Sequence, residues 1–202
     1  PIPGPLAAPG DYTVSLAKRV DGRVSDLGTP QSFAVKPLLR GALPGALPQD
    51  MVAFTQRLDA LNRQVQGAAS ALQGLLTETA AVKATLLRSA APQDLRDRTR
   101  ALELELLGLQ QTLAGNETRA LYNEGGPVAI TRRLEVAVLG TFRSTYGPTP
   151  THRRAMEIAE SEFAGVKERI ARINDEELPE LRRQLDAAGV PWTPGRGVPG
   201  EN

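Results

Sequence analysis

The chain has 202 residues, 41% of them hydrophobic and 4% aromatic, and its 24 Lys and Arg residues nearly balance its 23 Asp and Glu residues. This composition is typical of one domain with a buried core, and the net charge of +1 argues against a general nucleic-acid binder. The absence of cysteine excludes disulfides and thiolate chemistry, the single His152 excludes His–His metal pairs, and no apolar run approaches the roughly 18 residues that cross a bilayer.

Residues 1–36 predict a small β segment. Apolar and polar residues alternate over 11–16 and again over 32–36, a pattern typical of half-buried strands, and the turn signal Asp21-Gly22 lies between them. Because two strands alone are marginal in water, we expect this hairpin to be the edge or remnant of a β-sandwich. The Pro- and Gly-containing stretch 37–47 is typical of a linker.

Residues 48–189 predict a helical bundle. Apolar residues recur at alternating spacings of four and three from Phe54 to Leu86, which favours one long helix over about 49–89, with a break near Gly74 as the alternative. The same spacing from Leu95 to Leu113 predicts a second helix that packs antiparallel to the first. The expected inward-facing residues of these two helices are Phe54, Leu58, Leu61, Val65, Ala68, Leu72, Leu75, Thr79, Val82, Leu86, Leu95, Thr99, Leu102, Leu106, Leu109 and Leu113.

Two further helices are expected after a polar loop at 117–127. A shorter one spans roughly 128–143, and Thr149-Pro150 caps the last long helix, which Pro179 should kink. The predicted fold is therefore mainly α: an antiparallel bundle of three long helices plus one shorter helix, preceded by a small β-hairpin and followed by a Pro/Gly-rich tail at 190–202. The inward-facing residues of the later helices are Ile130, Leu134, Val138, Phe142, Ala159, Phe163, Val166, Ile170, Ile173, Leu178, Leu181 and Leu185.

Residue types that often form catalytic or metal-binding sites in proteins are predicted to have structural roles in this chain. His152, beside two arginines at a helix start, would form an anion site or, more simply, a solvated first turn. Glu157, Glu160 and Glu162 resemble a carboxylate metal site, but di-iron bundles need Glu-x-x-His on two helices, and one histidine cannot supply both. The acidic run 175–177 is a docking patch or a solvated face. Nucleophile elbows and phosphate-binding loops are missing, so we predict no enzymatic activity, no cofactor and no metal.

Two places favour contact with a partner. The long interhelical loop carries an aromatic, an amide and a carboxylate at Tyr122, Asn123 and Glu124, which would bind a protein partner unless Tyr122 folds back to cap the bundle. The lone Trp192 in the tail would either pin that tail to the bundle or contact a partner. These four residues are the predicted partner-binding residues.

Four stretches, 8–14 (APGDYTV), 115–125 (GNETRALYNEG), 148–155 (PTPTHRRA) and 187–196 (AAGVPWTPGR), occur together. With them the chain resembles the C-terminal region of large bacterial secreted proteins with a sortilin-like, Asp-box (BNR-repeat) β-propeller, which are often labelled glycosyl hydrolases. The resemblance spans most of the chain and implies an extracytoplasmic location, periplasmic or secreted, and a β-sandwich strand pair leading into a helical bundle. It transfers no catalytic residue, because the propeller and its Asp-box pattern Ser-x-Asp-x-Gly-x-Thr-Trp are absent from the sequence.

These observations together predict a non-catalytic structural or interaction module that docks on a larger extracytoplasmic assembly. The start Pro-Ile-Pro-Gly, without Met, predicts processing from a longer precursor. One form of the assembly is a respiratory or photosynthetic membrane complex that the chain stabilises at its periplasmic face.

Two other hypotheses stay open. The first is an accessory C-terminal domain of a secreted glycosyl-hydrolase-like propeller protein. The scarcity of aromatic residues that could bind glycan counts against it; they are Tyr12, Tyr122, Tyr146 and Trp192. The second is a coiled-coil dimerisation unit, which is disfavoured because four helices can bury each other's apolar faces within one chain.

Overall fold

A computed structural model describes residues 7–37, 45–122, 124–142 and 146–197, except the side chains of Glu117 and Phe142. It is mainly helical with a small antiparallel β-hairpin at its start, which confirms the predicted fold class. The strands are β1 (Gly10–Val14), β2 (Ala17–Val20), β3 (Arg23–Asp26) and β4 (Gln31–Val35). The helices are α1 (Pro48–Leu86), α2 (Gln93–Ala114), α3 (Glu117–Leu121), α4 (Ile130–Phe142), α5 (Pro150–Arg172), a π-helical turn (Ile173–Glu177) and α6 (Leu178–Ala187).

Ion pairs between helices show that α1 runs parallel to α5 and α6. Near the start of α1, Arg57 donates to Glu160 of α5 at 2.7 Å, and farther along α1 Glu78 accepts from Arg182 of α6 at 2.6 Å. The partners are separated by 103 and 104 residues, so the two helical runs stay in step over most of their length. No break occurs in α1 at Gly74, and the single-helix prediction is confirmed.

The third member of the bundle consists of α2 and α4 in series. After a short connection, α2 packs back along the second half of α1, where Lys83 donates to Glu103 at 2.6 Å. In the same way α4 packs antiparallel to α5, where Arg133 donates to Glu162 at 3.0 Å, and it lies beside the first half of α1. The cross-section is thus a three-helix bundle throughout, with residues 115–129 joining α2 to α4 at mid-length.

The core follows the predicted heptad positions closely. Nearly every inward-facing residue expected from the spacing is buried in one continuous cluster, while Ala68, Leu109 and Val138 are half-buried. Two of the buried positions are threonines, Thr79 and Thr99, whose hydroxyl groups donate to main-chain carbonyls four residues earlier at 2.8 and 2.7 Å. Polar atoms can therefore lie in this seam without an unsatisfied hydrogen bond.

The kink expected at Pro179 takes the form of a π-helical turn. The Leu178 N–H donates to the Ile173 carbonyl five residues back, which widens the helix just before a residue that has no N–H to offer. One extra residue in this turn also explains a break in the spacing, because the buried positions pass from Ile173 directly to Leu178. The helix then continues as α6 to Ala187, and Gly189, with a φ of +62°, follows its C-terminal end.

The β segment is one long antiparallel hairpin. Its two-residue turn, Asp21-Gly22, has φ values of +48° and +80°, the left-handed pair of a type I′ turn that the sequence predicted. Pairing extends farther than expected, because β2 pairs with β3 next to the turn and β1 pairs with β4. The Leu27 N–H donates to the Leu16 carbonyl at 2.8 Å and links the two paired regions.

The hairpin stands apart from the helical core. Within 7–37 the structure places no fully buried residue, and its most enclosed feature is the stacking of Tyr12 on Phe33, with ring centroids 6.0 Å apart. The expectation that the hairpin packs against something is therefore not met by the helices. The predicted linker at 37–47 lies largely outside the described residues, as do residues 1–6 and the last five residues of the tail.

Candidate functional site

The connection between α2 and α4 (residues 115–129, here the waist loop) is anchored at its start. Gly115 ends α2 with a φ of +90° and donates to the Gln111 carbonyl at 2.9 Å. The Asn116 side chain then accepts a hydrogen bond from the Arg119 N–H at 3.1 Å and caps α3. The polar-loop prediction for 117–127 was wrong over 117–121, where Asn116 as a helix cap before five helix-compatible residues was the missed signal.

The predicted partner-binding residues of this loop point away from the core. The Tyr122 side chain is 75% exposed, so it does not cap the bundle, and its neighbour Leu121 is 81% exposed. Glu124 is also exposed; its N–H donates to the Arg119 carbonyl at 2.9 Å and its carboxylate lies 3.9 Å from the Arg119 guanidinium. Asn123 lies outside the described residues.

Two further exposed leucines lie on the neighbouring helix α2. Leu104 and Leu107 lie off the buried seam of that helix and line a groove of about 510 Å³ that reaches Asn116. A second groove of about 300 Å³ continues from Asn116 past Glu124 to Val128. We define the waist surface as Leu104, Leu107, Leu121, Tyr122 and Val128. Of these five, sequence reasoning had identified only Tyr122, although two leucines outside the heptad seam were a readable signal.

The tail is held to the bundle by residues other than Trp192. The indole is 52% exposed and its N–H donates to carbonyls of the tail itself, those of Arg196 and Gly197. Val190 and Thr193 are buried instead, and the Arg196 guanidinium binds Asp186 near the end of α6. Trp192 therefore stabilises the turn of the tail and stays about half exposed.

His152 acts as a helix cap. The Thr149 N–H donates to His152 Nδ1 at 3.1 Å while the Thr149 hydroxyl accepts from the His152 N–H, a reciprocal capping box at the start of α5. The imidazole is thus half-buried and engaged with its own helix terminus.

The glutamates of α5 are separated by their partners. Glu157, Glu160 and Glu162 each pair with a different arginine, Arg154, Arg57 and Arg133 respectively. In the part of the chain that the structure describes, no group of three or more His, Asp or Glu residues is placed to hold a metal ion. Within the same ranges, no helix is both long enough and apolar enough to span a membrane.

A half-buried cluster of three charges lies where α2, α5 and the π-helical turn meet. Arg169 donates to Glu105 at 2.6 Å and to Glu177 at 3.0 Å. These hydrogen bonds raise the pKa of Arg169 and lower the pKa of Glu177. Both groups therefore stay charged at neutral pH, and their ion pairs join α2, α5 and the π-helical turn.

Comparisons of the chain with protein-family models, with curated proteins and with solved structures found no match. The resemblance to the C-terminal region of sortilin-like propeller proteins stays a prediction.

Proposed function

We propose that the chain is a non-catalytic interaction module that docks on a larger extracytoplasmic assembly through its waist surface. The observation that carries the proposal is the exposure of Leu121 and Tyr122, at 81% and 75%, on a loop anchored to a rigid bundle. Large apolar side chains grouped at the surface mark protein contacts, and tyrosine is among the residues that contribute most to binding.

The anchoring of the loop supports the same conclusion. Gly115 and Asn116 fix the direction in which the chain leaves α2, and Ala129 and Ile130 return it to the core as buried residues. A loop fixed at both ends loses less conformational entropy on binding than a free one, which favours affinity. The proposed assembly is a respiratory or photosynthetic membrane complex with the chain at its periplasmic face, and the resemblance to secreted proteins supports the extracytoplasmic location of the chain.

The test is a mild native pull-down of the chain from the membranes of its own organism, followed by mass spectrometry. We expect one defined membrane complex to copurify at fixed stoichiometry. The double variant Leu121→Ser, Tyr122→Ser should lose at least about tenfold of the bound complex, because it removes the two most exposed apolar side chains of the waist surface. Leu87→Ser is the matched control, since Leu87 is equally exposed but lies at the far end of α1.

Two results would contradict the proposal. Equal recovery of the complex with the double variant and with wild type would exclude the waist surface as the contact. Recovery of only a propeller fragment from a common precursor would favour the accessory domain of a glycosyl-hydrolase-like protein, and exposed Trp192 and Tyr122 would then be tested for glycan binding. Both variants should unfold at the wild-type temperature, because the substituted side chains contribute little buried area.

A further inference from the structure

The two faces of the hairpin differ sharply in chemistry. The pairing register places Tyr12 opposite Phe33 and Val14 opposite Gln31, and Leu16 follows at the same alternation with its partner Leu27. We define the apolar hairpin face as Tyr12, Val14, Leu16, Leu27, Phe33 and Val35. The opposite face is more polar: it carries Asp11, Thr13 and Ser32 in β1 and β4, and near the turn Val24 is its one large apolar residue, beside Arg19 and Asp26.

The apolar hairpin face is largely uncovered. Leu16 is 67% exposed and Phe33 is 50% exposed, and no helix of the described part of the chain packs on them. In folded proteins one face of an antiparallel sheet normally lies on a core, and an isolated pair of strands is marginally stable. The amphipathic pattern is therefore that of a sheet layer whose second layer is supplied from elsewhere.

The charges on this face indicate what the second layer carries. Within the β2–β3 pair, Lys18 and Arg23 share one face with Val20, and the Asp26 of that pair lies on the other. The Leu16–Leu27 hydrogen bond continues this pairing toward β1 and β4, so the two charges extend the apolar hairpin face beside the turn. We infer that the apolar hairpin face is a second docking surface for the protein partner of the proposed function. On this inference the partner presents an apolar surface with carboxylates positioned to meet Lys18 and Arg23.

The dimensions of the face argue against a second copy of the chain. Two strands of this length form a face about 36 Å long and about 10 Å wide, or roughly 350 Å². A dimer through this face alone would bury roughly 700 Å² in total, below the ~1,200 Å² of stable specific interfaces. A partner that also holds the waist surface has no such requirement, because the tether between hairpin and bundle makes the second contact intramolecular.

This inference depends on the proposed function, so the experiment examines both surfaces in the same setting. The photo-reactive residue p-benzoylphenylalanine replaces Phe33 on the apolar face, Ser32 on the opposite face or Tyr122 on the waist surface, each in the full chain in its own membranes. We expect Phe33 and Tyr122 positions to crosslink to the same membrane complex and the Ser32 position to give no such product. The double variant Lys18→Glu, Arg23→Glu should lower the Phe33 product at least about fivefold, because it reverses both charges that face the partner.

The alternative outcomes separate the two ideas. A Tyr122 product with none at Phe33, or with equal products at Phe33 and Ser32, overturns this inference and leaves the proposed function standing. Products at neither Phe33 nor Tyr122 overturn both. A crosslink to a second copy, or cosedimentation of wild type but not Phe33→Ser with phosphatidylcholine–phosphatidylglycerol vesicles, assigns the face to self-association or to lipid and also overturns the inference. NMR chemical shifts of the main-chain amides of residues 10–35 are recorded for every variant. Shifts like those of wild type show that the hairpin is folded, so that loss of a crosslinked product reflects loss of the contact.

Discussion

The bundle and the hairpin are both amphipathic, but only the bundle buries its apolar side. The heptad positions of α1 meet those of α2, α4 and α5 within one chain, and the result is a continuous core. The alternating positions of the hairpin meet no second layer in the described ranges, and side chains such as Leu16 stay in water. Hydrophobic periodicity therefore predicts that an apolar face will be buried. Only the packing of the whole chain shows whether another segment of the same chain buries it.

The largest expected effect on stability comes from loss of packing in the core of the helical bundle. Leu106 in α2 is completely buried, so Leu106→Ala should lower the free energy of unfolding by about 3 kcal/mol through lost burial and a residual cavity. Leu104→Ala, the same change two residues away at a 55% exposed position, should change it by less than about 0.5 kcal/mol. Urea unfolding followed by circular dichroism measures both, and equal effects would contradict the proposed inside and outside of α2.

A smaller effect is expected at the Arg169 cluster. Arg169→Gln removes hydrogen bonds to Glu105 and Glu177 and should lower the free energy of unfolding at pH 7 by about 1–2 kcal/mol, since the guanidinium is largely enclosed. Arg132→Gln is the matched control, because its ion pair with Glu135 is exposed and should contribute less than about 0.5 kcal/mol. Similar losses in the two variants would show that enclosure of Arg169 adds nothing.

The same cluster makes stability depend on acidity. Hydrogen bonds from Arg169 lower the pKa of Glu177 below its ordinary value, so this contribution to stability is complete above about pH 4.5 and is lost as the pH falls through the lowered value. Wild type should therefore lose more stability than Arg169→Gln on acidification from about pH 5 to pH 3. Part of the dependence should persist in the variant, because Arg172 lies 3.5 Å from Glu177. Parallel acid titrations of the two proteins would contradict the assignment.

The smallest effect contrasts one glycine from each region. Gly74 lies exposed inside α1 with open space around it, so Gly74→Ala should raise the free energy of unfolding by roughly 0.5–1 kcal/mol. Gly22→Ala should strain the hairpin turn, where φ is +80°, yet leave the thermal unfolding of the helices unchanged because the hairpin does not pack on them. A lower unfolding temperature for Gly22→Ala would show that hairpin and bundle unfold as one unit.

Most of the fold could be predicted because the helical core is governed by local spacing. The seam from Phe54 to Leu86, the cap at Thr149 and the turn at Asp21-Gly22 each depend on residues close together in sequence, and each prediction is confirmed. The series arrangement of α2 and α4 was not predicted, because the sequence marks which faces are apolar and not which helices share them.

The candidate site was predicted less completely. The exposure of Tyr122 could not be decided in advance, since a tyrosine has both an apolar ring that packs in cores and a hydroxyl that favours water. Leu104 and Leu107 were not predicted, because the heptad pattern identifies the buried leucines and assigns no role to leucines at other positions. The role of Trp192 could not be predicted either, because its indole N–H donates to the carbonyls of Arg196 and Gly197 within the tail and not to a residue of the bundle.

The waist loop interrupts the third member of the bundle, which α2 and α4 form in series. It thereby divides the molecule along its length into two halves. Helical main-chain hydrogen bonding is continuous along α1 and from α5 through the π-helical turn into α6, but in the third member of the bundle α2 ends at Ala114 and α4 begins at Ile130, with only the short α3 between them. Because α2 packs along the second half of α1 and α4 along the first half, we expect release of α4 to expose one end of the core and release of α2 to expose the other. A partner bound to the waist loop would hold the adjoining ends of α2 and α4 in place. Its binding should therefore slow amide hydrogen exchange in both halves of the bundle.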